Sequence, residues 1–357
     1  MPGPVRGPRP AHPGTPVATP ASRPLRRSLS HVGGAVDVEG DEEPAAILAR
    51  ALDFGSSPAP DIARRGARDD DEDRAHVHGF HSYPARMHPG TARILVEGLS
   101  EPGQVVLDPF AGSGTVLAEA LGVGRAAVGV DLNPLATMLA WSKLRPRHSR
   151  DLQGLADAAN GIRGLADERR RDKSGASRRY GAEDMSMFDA HVLFELDSLK
   201  LGIDRVGNRE LRADLALVLS SILVKVSRKK ADTSEAKETT RIAAGYTAKL
   251  FVKKAEEYRR RLETFAAGLP RPRPRVDVFT GDATKLADVR TASVDLVVTS
   301  PPYVATYDYI AHHALRLRRL GPTTRSSRAP SSVPGARTPR SMARRPPPSG
   351  STNSVDS

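Results

Sequence analysis

Two short motifs contain residues whose types and spacing could do chemistry. The first reads Asp-Pro-Phe-Ala-Gly-Ser-Gly over residues 108–114 and follows a short apolar run. Glycine lets the backbone turn sharply and approach a ligand closely, and a helix behind such a turn offers free N–H groups. Asp131 follows Gly112 by 19 residues, about the separation at which a carboxylate grips ribose hydroxyls in dinucleotide folds. The loop and the acid together predict a site for a nucleoside cofactor.

The second motif reads Thr-Ser-Pro-Pro-Tyr over residues 299–303 and also follows an apolar run. Two prolines remove two N–H donors, so carbonyl and hydroxyl acceptors dominate here. Such acceptors suit a planar base with an amino group, because they take its protons in hydrogen bonds and draw the nitrogen lone pair out of ring conjugation. An aromatic ring can stack on a base that has left its duplex. The predicted base-contacting residues are Ser300, Pro301, Pro302 and Tyr303.

Each motif also has a plainer interpretation. A glycine-rich loop can serve NAD, a phosphate or a simple tight turn, and Pro-Pro-Tyr can be a turn with a packed tyrosine. Both plainer interpretations are disfavoured, because the two motifs share one chain and each stands at the end of an apolar run.

The apolar runs around the motifs indicate the elements that must position them. Strands are predicted over residues 104–107, 126–130, 276–279 and 294–298, and a helix over 115–121. The third of these strands ends close to a further acid, Asp282. Strands that alternate with helices in this way are typical of a doubly wound α/β sheet, so the predicted fold class is a Rossmann-like α/β fold.

A segment without strand patterns, residues 147–271, separates the two halves and is predicted to be a helical insert. Apolar residues recur at helical spacing over 215–226 and 251–265. The charged face of the second stretch is interpreted as a solvated face with i,i+4 ion pairs, with a phosphate contact as the alternative. The basic cluster 225–230 is the better candidate for a phosphate contact.

The remaining segments complete the predicted organisation. The ends, residues 1–40 and 321–357, are rich in Pro, Arg and Ser and are predicted to be disordered. A short helix is predicted over Glu42–Leu52, and ordered structure is expected from about residue 76. The predicted core then consists of a cofactor-binding part, 76–146, and a catalytic part, 272–320.

Charge and composition exclude some functions. The formal net charge is +12, but residues 1–35 hold five Arg and no acid, and residues 321–357 hold six Arg and one Asp. The basicity therefore lies mainly in the ends and does not by itself indicate nucleic-acid binding. The chain has no cysteine, which excludes disulfides, thiolate metal sites and the thiolate attack that methylation of cytosine carbon 5 requires.

Membrane and metal sites are not expected. The chain lacks an apolar run of about 20 residues and lacks a signal pattern, so we expect a cytosolic protein with no membrane partner. Four histidines are clustered, namely His76, His78, His81 and His88. With no cysteine and no acid at ligand spacing, we expect no metal there.

At the two motifs the sequence resembles the amino-group DNA methyltransferases, the cytosine-N4 and adenine-N6 families, over roughly residues 76–146 and 272–312. The resemblance implies that S-adenosylmethionine is the cofactor. Its methionine part would be surrounded by Asp108, Phe110, Gly112 and Gly114. Its ribose would be held by Asp131 and its adenine amino group by Asp282. Residues 81–86, His-Ser-Tyr-Pro-Ala-Arg, resemble the stretch that closes over the cofactor in many of these enzymes.

The implied activity is site-specific methylation of an exocyclic amino group of a DNA base. A serine before Pro-Pro-Tyr favours cytosine N4 over adenine N6. Two alternatives remain open. One is a tRNA guanosine-N2 methyltransferase, and the other is an inactive protein that binds cofactor or nucleic acid.

Two features depart from the pattern of these families. The insert falls between the second and third strands, which is an unusual place for a target-recognition region. The sheet should also continue after the catalytic motif, yet only residues 305–320 precede the Arg/Ser/Pro-rich end. We therefore expect a C-terminal truncation that leaves the sheet incomplete.

Overall fold

A computed structural model of the chain describes residues 40–52, 76–83, 86–228, 242–301 and 316. The helices among these residues are α1 (Glu42–Leu52), α2 (Pro89–Leu99), α3 (Thr115–Gly122), α4 (Pro134–Leu144), α5 (Ser149–Arg171), α6 (Ala182–Met187), α7 (Ala190–Asp204), α8 (Arg209–Ile222) and α9 (Tyr246–Ala267). The strands are β1 (Val105–Asp108), β2 (Ala126–Asp131), β3 (Val276–Thr280) and β4 (Leu296–Val297).

Several predictions concern residues that the structure does not describe. The predicted disordered ends, apart from Gly40, lie outside the described residues, and so do Pro302 and Tyr303. The segment on which the expected truncation rests, residues 305–357, lies outside them as well, apart from Arg316. Within the described part of the chain, no helix is long and apolar enough to cross a membrane.

The four strands form one parallel sheet in the order β3–β2–β1–β4. Leu107 of β1 is aligned with Val128 on one side and with Val297 on the other. The chain thus runs outward from β1 to β3 and returns to the opposite side of β1, which confirms the predicted Rossmann-like α/β fold. In such sheets ligands bind outside the carboxyl ends of the strands, at the point where the strand order reverses.

Strand β4 is shorter than the predicted strand over 294–298. It pairs only Leu296 and Val297 with β1. Backbone hydrogen bonds continue on either side, from Asp295 N to Val105 O and from Val298 N to Leu107 O, each 3.0 Å. Hydrogen bonds to β1 therefore extend from Asp295 to Val298, close to the predicted bounds.

Helix α1 has the predicted bounds, but the expectation that ordered structure begins near residue 76 is wrong. Helix α1 packs on α2. Thr91 Oγ1 donates to Ala51 O at 3.1 Å. A Cβ added at Gly98 would lie 2.7 Å from Ile47 Cγ2, so the absence of a side chain there lets the two helices approach closely.

Between β2 and β3 the chain forms helices α5 to α9, and α5, α7, α8 and α9 pack against one another. Their buried apolar side chains are continuous with those around the sheet. The ring of Tyr258 in α9 stacks on Phe80 at a centroid distance of 3.8 Å. This contact connects the helices to the segment that precedes α2.

The charged face of α9 makes ion pairs within the helix. Arg259 pairs with Glu256 at 2.6 Å, and Arg261 pairs with Glu257 at 3.0 Å. The pairs join residues three or four positions apart, which are neighbours on a helix surface. This arrangement agrees with the interpretation of a solvated face.

Candidate active site at the carboxyl edge of the sheet

The glycine-rich loop turns tightly between β1 and α3. Ala111 N donates to Val130 O at 2.9 Å, and Gly114 N donates to Ala111 O at 2.7 Å. Gly112 and Gly114 have φ angles of +50° and +82°, a left-handed conformation that other residues rarely adopt. The loop therefore keeps its backbone close to the carboxyl ends of β1 and β2.

Asp131 ends β2 and holds this loop in place. Its Oδ2 accepts a hydrogen bond from Gly112 N at 2.8 Å, and its Oδ1 accepts one from Asn133 N at 2.8 Å. Burial raises the pKa of the Asp131 carboxyl above its ordinary value, although these two hydrogen bonds oppose the shift. The side chain is half-buried, and a carboxylate has about four lone-pair sites, so it can accept further hydrogen bonds.

A cavity of about 480 Å³ lies beside this loop. Of the residues singled out from the sequence, its lining includes Asp108, Phe110, Gly112, Asp131, Asp282 and Ser300. The structure thus brings together residues from the ends of β1, β2 and β3 and from the segment after β4. All of them lie at the carboxyl edge, where the strand order predicts a ligand.

Gly114 is a predicted site residue that does not line the cavity. It caps α3, and an added Cβ would lie 2.9 Å from Ala140 Cβ of α4. Glycine is required at position 114 because the loop packs so closely on α4 that a side chain would not fit. Pro301, although described, is also absent from the lining.

Asp108 is 3% exposed and connects the two motifs. Its Oδ1 accepts hydrogen bonds from Thr299 Oγ1 at 2.7 Å and from Phe110 N at 3.1 Å. Burial raises the pKa of Asp108 to about 7, against the effect of these hydrogen bonds. The contact with Thr299 places the start of the second motif beside the glycine-rich loop.

Asp282 follows β3 on the opposite flank of β2. Its Oδ1 accepts hydrogen bonds from Thr284 Oγ1 at 2.7 Å and from Thr284 N at 2.9 Å. The hydrogen bond from the Thr284 hydroxyl is the main reason why the pKa of Asp282 lies below its ordinary value. The group is therefore an ionised acceptor at neutral pH.

Some lining residues were not predicted as site residues. Tyr83 and Arg86 line the cavity and belong to the 81–86 segment, for which the sequence predicted no roles of single residues. An added Cβ at Gly112 would lie 3.2 Å from Tyr83 Cε1, so this ring covers the loop. Leu132 is a further lining residue that was not predicted, and it is 75% exposed. The predicted residue Phe110 is 38% exposed. Exposed apolar side chains on a cavity rim are suited to a flat aromatic ligand, and their positions beside Asp131 and Asp108 were a signal for it.

Two buried hydroxyls in the lining lack partners. Ser113 Oγ and Thr115 Oγ1 have no hydrogen-bond partner among the described residues, although both side chains are almost completely buried. Buried polar groups are nearly always hydrogen-bonded. Both hydroxyls adjoin the N-terminus of α3, whose cap Gly114 supplies no side-chain hydrogen bond. This end of the cavity thus offers hydroxyl and N–H donors to a ligand.

Lys143 of α4 contacts the glycine-rich loop, and the sequence did not predict it as a site residue. Its Nζ donates to Ser113 O at 3.1 Å, and the residue is 2% exposed. Burial, assisted by the nearby charge of Arg86, lowers the pKa of Lys143 to about 7. A lysine in an otherwise apolar helix carries no sequence signal for such an environment.

The clustered histidines are used in separate contacts. His78 Nε2 contacts Glu119 Oε1 at 2.8 Å, and His81 Nε2 contacts Ser220 Oγ of α8 at 2.9 Å. His88 accepts a hydrogen bond from Gly90 N at the start of α2. Within the described ranges, no group of three His, Cys, Asp or Glu residues could hold a metal ion.

Comparison with known proteins finds a similar family for the first part of this site. Residues 60–140 match the family model for N6 and N4 methyltransferases, described as DNA methylase. This part of the chain is therefore similar to the amino-group DNA methyltransferases. The matched segment includes the glycine-rich loop, Asp131 and the first part of α4.

Two proteins with similar sequences are type II methyltransferases. The chain is 33% identical over 70 residues to M.MjaII from Methanocaldococcus jannaschii and 38% identical over 73 residues to M.MvaI from Kocuria varians. Each match covers 20% of this chain, and it covers 13% of the first relative and 16% of the second. No solved structure matches the chain.

Proposed function

We propose that this protein transfers the methyl group of S-adenosylmethionine to an exocyclic amino group of a DNA base, with cytosine N4 favoured over adenine N6. The observation that carries the proposal is the convergence on one cavity of residues from both motifs, at the switch point of the sheet. The match of residues 60–140 to DNA methylases supports the same reaction class.

The charged and apolar groups of the cavity fit the proposed cofactor. Its carboxylate would be bound by the unpartnered hydroxyls of Ser113 and Thr115 and by free N–H groups at the start of α3. The carboxylate of Asp131 would accept hydrogen bonds from the ribose hydroxyls. Exposed Leu132 would pack against the adenine ring, whose amino group would be bound by Asp282.

The remaining first-motif residues would surround the methionine part. Asp108, when ionised, would attract its cationic groups, while Phe110 and the backbone at Gly112 would contact its chain. Gly114 would act indirectly, because its packing on α4 sets the turn of the loop.

The second motif would hold the target base. The hydroxyl of Ser300 and the carbonyl of Pro301 would accept hydrogen bonds from the base amino group, and Tyr303 would stack on the ring. The hydrogen bond from Thr299 to Asp108 supports this assignment, because it holds the motif next to the cofactor loop.

The proposed transfer is a single displacement. A sulfonium supplies an electrophilic methyl carbon. The base amino nitrogen attacks this carbon, the carbon–sulfur bond breaks, and its electron pair stays on sulfur. The nitrogen then releases one proton to solvent. No covalent enzyme intermediate is required, so the contribution of the protein is chiefly to align the nitrogen with the methyl group.

The preference for cytosine N4 is supported by Ser300 before Pro-Pro-Tyr, through the resemblance to that group of enzymes. Adenine N6 would use the same acceptors and the same stacking ring, so the two targets are separated by product analysis.

The test is methyl transfer from isotopically labelled S-adenosylmethionine to duplex DNA and, in parallel, to unmodified tRNA. We expect label in DNA, which yields N4-methylcytosine after digestion to nucleosides. N6-methyladenine would overturn the base preference alone. Label confined to tRNA guanosine would overturn the DNA assignment. Cofactor binding without transfer to either acceptor would overturn the enzymatic proposal.

A further inference from the structure

The loop between α5 and α6 carries a concentration of positive charge. Residues 169–180, here called the basic turn, contain five Arg and one Lys against one acid, Asp172. Two of these cations are already paired, since Arg169 contacts Asp197 at 3.3 Å and Arg170 contacts Asp167 at 2.9 Å.

The other four cations of the basic turn have no acidic partner among the described residues. They are Arg171, Lys173, Arg178 and Arg179, and all four are exposed. The guanidinium of Arg178 lies over the ring of Tyr180, 5.2 Å from its centroid. Unpaired guanidinium and ammonium groups beside an aromatic ring are typical of surfaces that contact nucleic-acid phosphates.

Contacts of α8 connect the helical segment to the site. Asp214 of α8 pairs with Arg145 and Arg147, which follow α4. Toward its end, Ser220 contacts His81, two residues before the tyrosine that covers the glycine-rich loop. Helix α8 therefore contacts both the chain that follows α4 and the segment that precedes α2.

The course of α9 shows at which end of the helices the basic turn lies. Helix α5 begins just after Arg147, and its last turn lies beside the start of α9, where Arg170 and Gly245 both contact Glu195 of α7. Helix α9 ends near the amino edge, since Pro270 lies beside Gly124. The 13 residues from Gly245 to Tyr258 span about 20 Å at 1.5 Å per residue, so the basic turn projects past the level of the Phe80–Tyr258 stack.

We infer that the basic turn binds the phosphate backbone of duplex DNA whose target base enters the cavity. The inference rests on the proposed function for its choice of DNA as the partner. It assigns a DNA contact to the helical segment between β2 and β3. The projecting end of the helices and the cavity lie on the same side of the molecule, so one duplex can reach both.

The test compares two variants of the full-length chain that lose equal charge. In the first, Arg171, Lys173, Arg178 and Arg179 are changed to Gln. In the control, four exposed arginines elsewhere are changed to Gln: Arg150, Arg271, Arg275 and Arg290. Both variants keep the basic ends of the chain, so their difference reports the position of the lost charge. Thermal unfolding and the dissociation constant for S-adenosylmethionine check that each variant is folded.

Affinity for a fluorescent duplex is measured as a function of salt. We expect the basic-turn variant to lose at least 10-fold in affinity at 100 mM salt, with a salt-dependence slope smaller by about 3 to 4, because each phosphate contact contributes about 0.9 to that slope. The control should change less than threefold. Equal losses in the two variants, no duplex binding by the unmodified chain, or a loss confined to tRNA binding would each overturn the inference.

The same measurements separate this inference from the proposed reaction. Duplex binding that depends on the basic turn, without methyl transfer, would contradict only the proposed function. Methyl transfer that is insensitive to the basic-turn substitutions at low DNA concentration would contradict only the inference.

Discussion

At the scale of single residues, Asp131 has two functions that a sequence motif cannot distinguish. It receives hydrogen bonds from Gly112 N and Asn133 N, and it lines the cavity. The carboxylate therefore organises the loop and is also available to a ligand. The contribution to cofactor binding that we propose for Asp131 therefore includes both effects.

Asp131→Ala is expected to weaken binding of S-adenosylmethionine by at least about 10-fold. Each lost hydrogen bond to a charged group costs about 1.5–3 kcal/mol, and about 1.4 kcal/mol corresponds to a factor of ten. Isothermal titration calorimetry measures the change. Asp157→Ala, at an exposed position of α5, should leave the dissociation constant unaltered. An Asp131→Ala protein that binds the cofactor normally would disprove the assignment.

Tyr303→Ala is expected to preserve cofactor affinity and to reduce methyl transfer. Stacking of a base on an aromatic ring contributes about 1–3 kcal/mol, so kcat/KM should fall by about 5- to 150-fold. Tyr303→Phe should retain most of the activity. The exposed Tyr246 provides a control, since Tyr246→Ala should have no effect. A Phe variant as poor as the Ala variant would show that the hydroxyl, and not the ring, is required.

At the scale of elements, the glycine-rich loop depends on the close packing of α3 and α4. Gly114 is the residue immediately before α3 and has a φ of +82°. A Cβ added to it would lie against Ala140 and Leu144 of α4. Gly122 ends the same helix, and an added Cβ there would meet nothing within 4 Å. The two glycines therefore form a matched pair for substitution.

Gly114→Ala is expected to lower the free energy of unfolding by about 2–5 kcal/mol. The left-handed backbone costs about 1–2 kcal/mol for a residue with a Cβ, and overpacking against α4 costs about 1–3 kcal/mol. Gly122→Ala should be neutral or stabilise by up to about 1 kcal/mol. Urea unfolding compares the two variants. Equal stabilities would show that the loop can relax without cost.

At the scale of the whole molecule, two buried ionisable groups make the stability depend on pH in opposite directions. Burial raises the pKa of Asp108 to about 7, so its contribution to stability is complete below about pH 4 and is lost as the pH rises to 7. Burial lowers the pKa of Lys143 to about 7, so its contribution is absent below pH 7 and returns as the pH rises toward 10.5. Together they predict a minimum near pH 7.

Urea unfolding at pH 5, 7 and 9 tests this minimum with Asp108→Asn and Lys143→Met. From pH 5 to 7, the unmodified chain should lose about 2–3 kcal/mol relative to Asp108→Asn, because one pKa unit corresponds to about 1.4 kcal/mol. From pH 7 to 9, it should gain a similar amount relative to Lys143→Met. Parallel stability profiles for all three proteins would contradict the predicted burial of these charges.

The sequence by itself determined the features that depend on neighbouring residues. Glycines at 112 and 114 specify the turn, and apolar runs that end at Asp108 and Asp131 specify two strands, because turns and strands follow from local backbone preferences and side-chain alternation. The spacing of apolar residues likewise predicted α9. These local patterns predicted the α/β class, and together with the family resemblance they singled out six of the residues that line the cavity.

Tertiary structure alone decided the relations between distant parts of the chain. His81 and Ser220 are 139 positions apart, yet their contact helps to fix the segment that covers the loop. Burial of Lys143 and the position of the basic turn on the cavity side depend on how helices pack. Packing is set by shape and by solvent exclusion among residues remote in sequence, so neither feature has a local sequence pattern that could predict it.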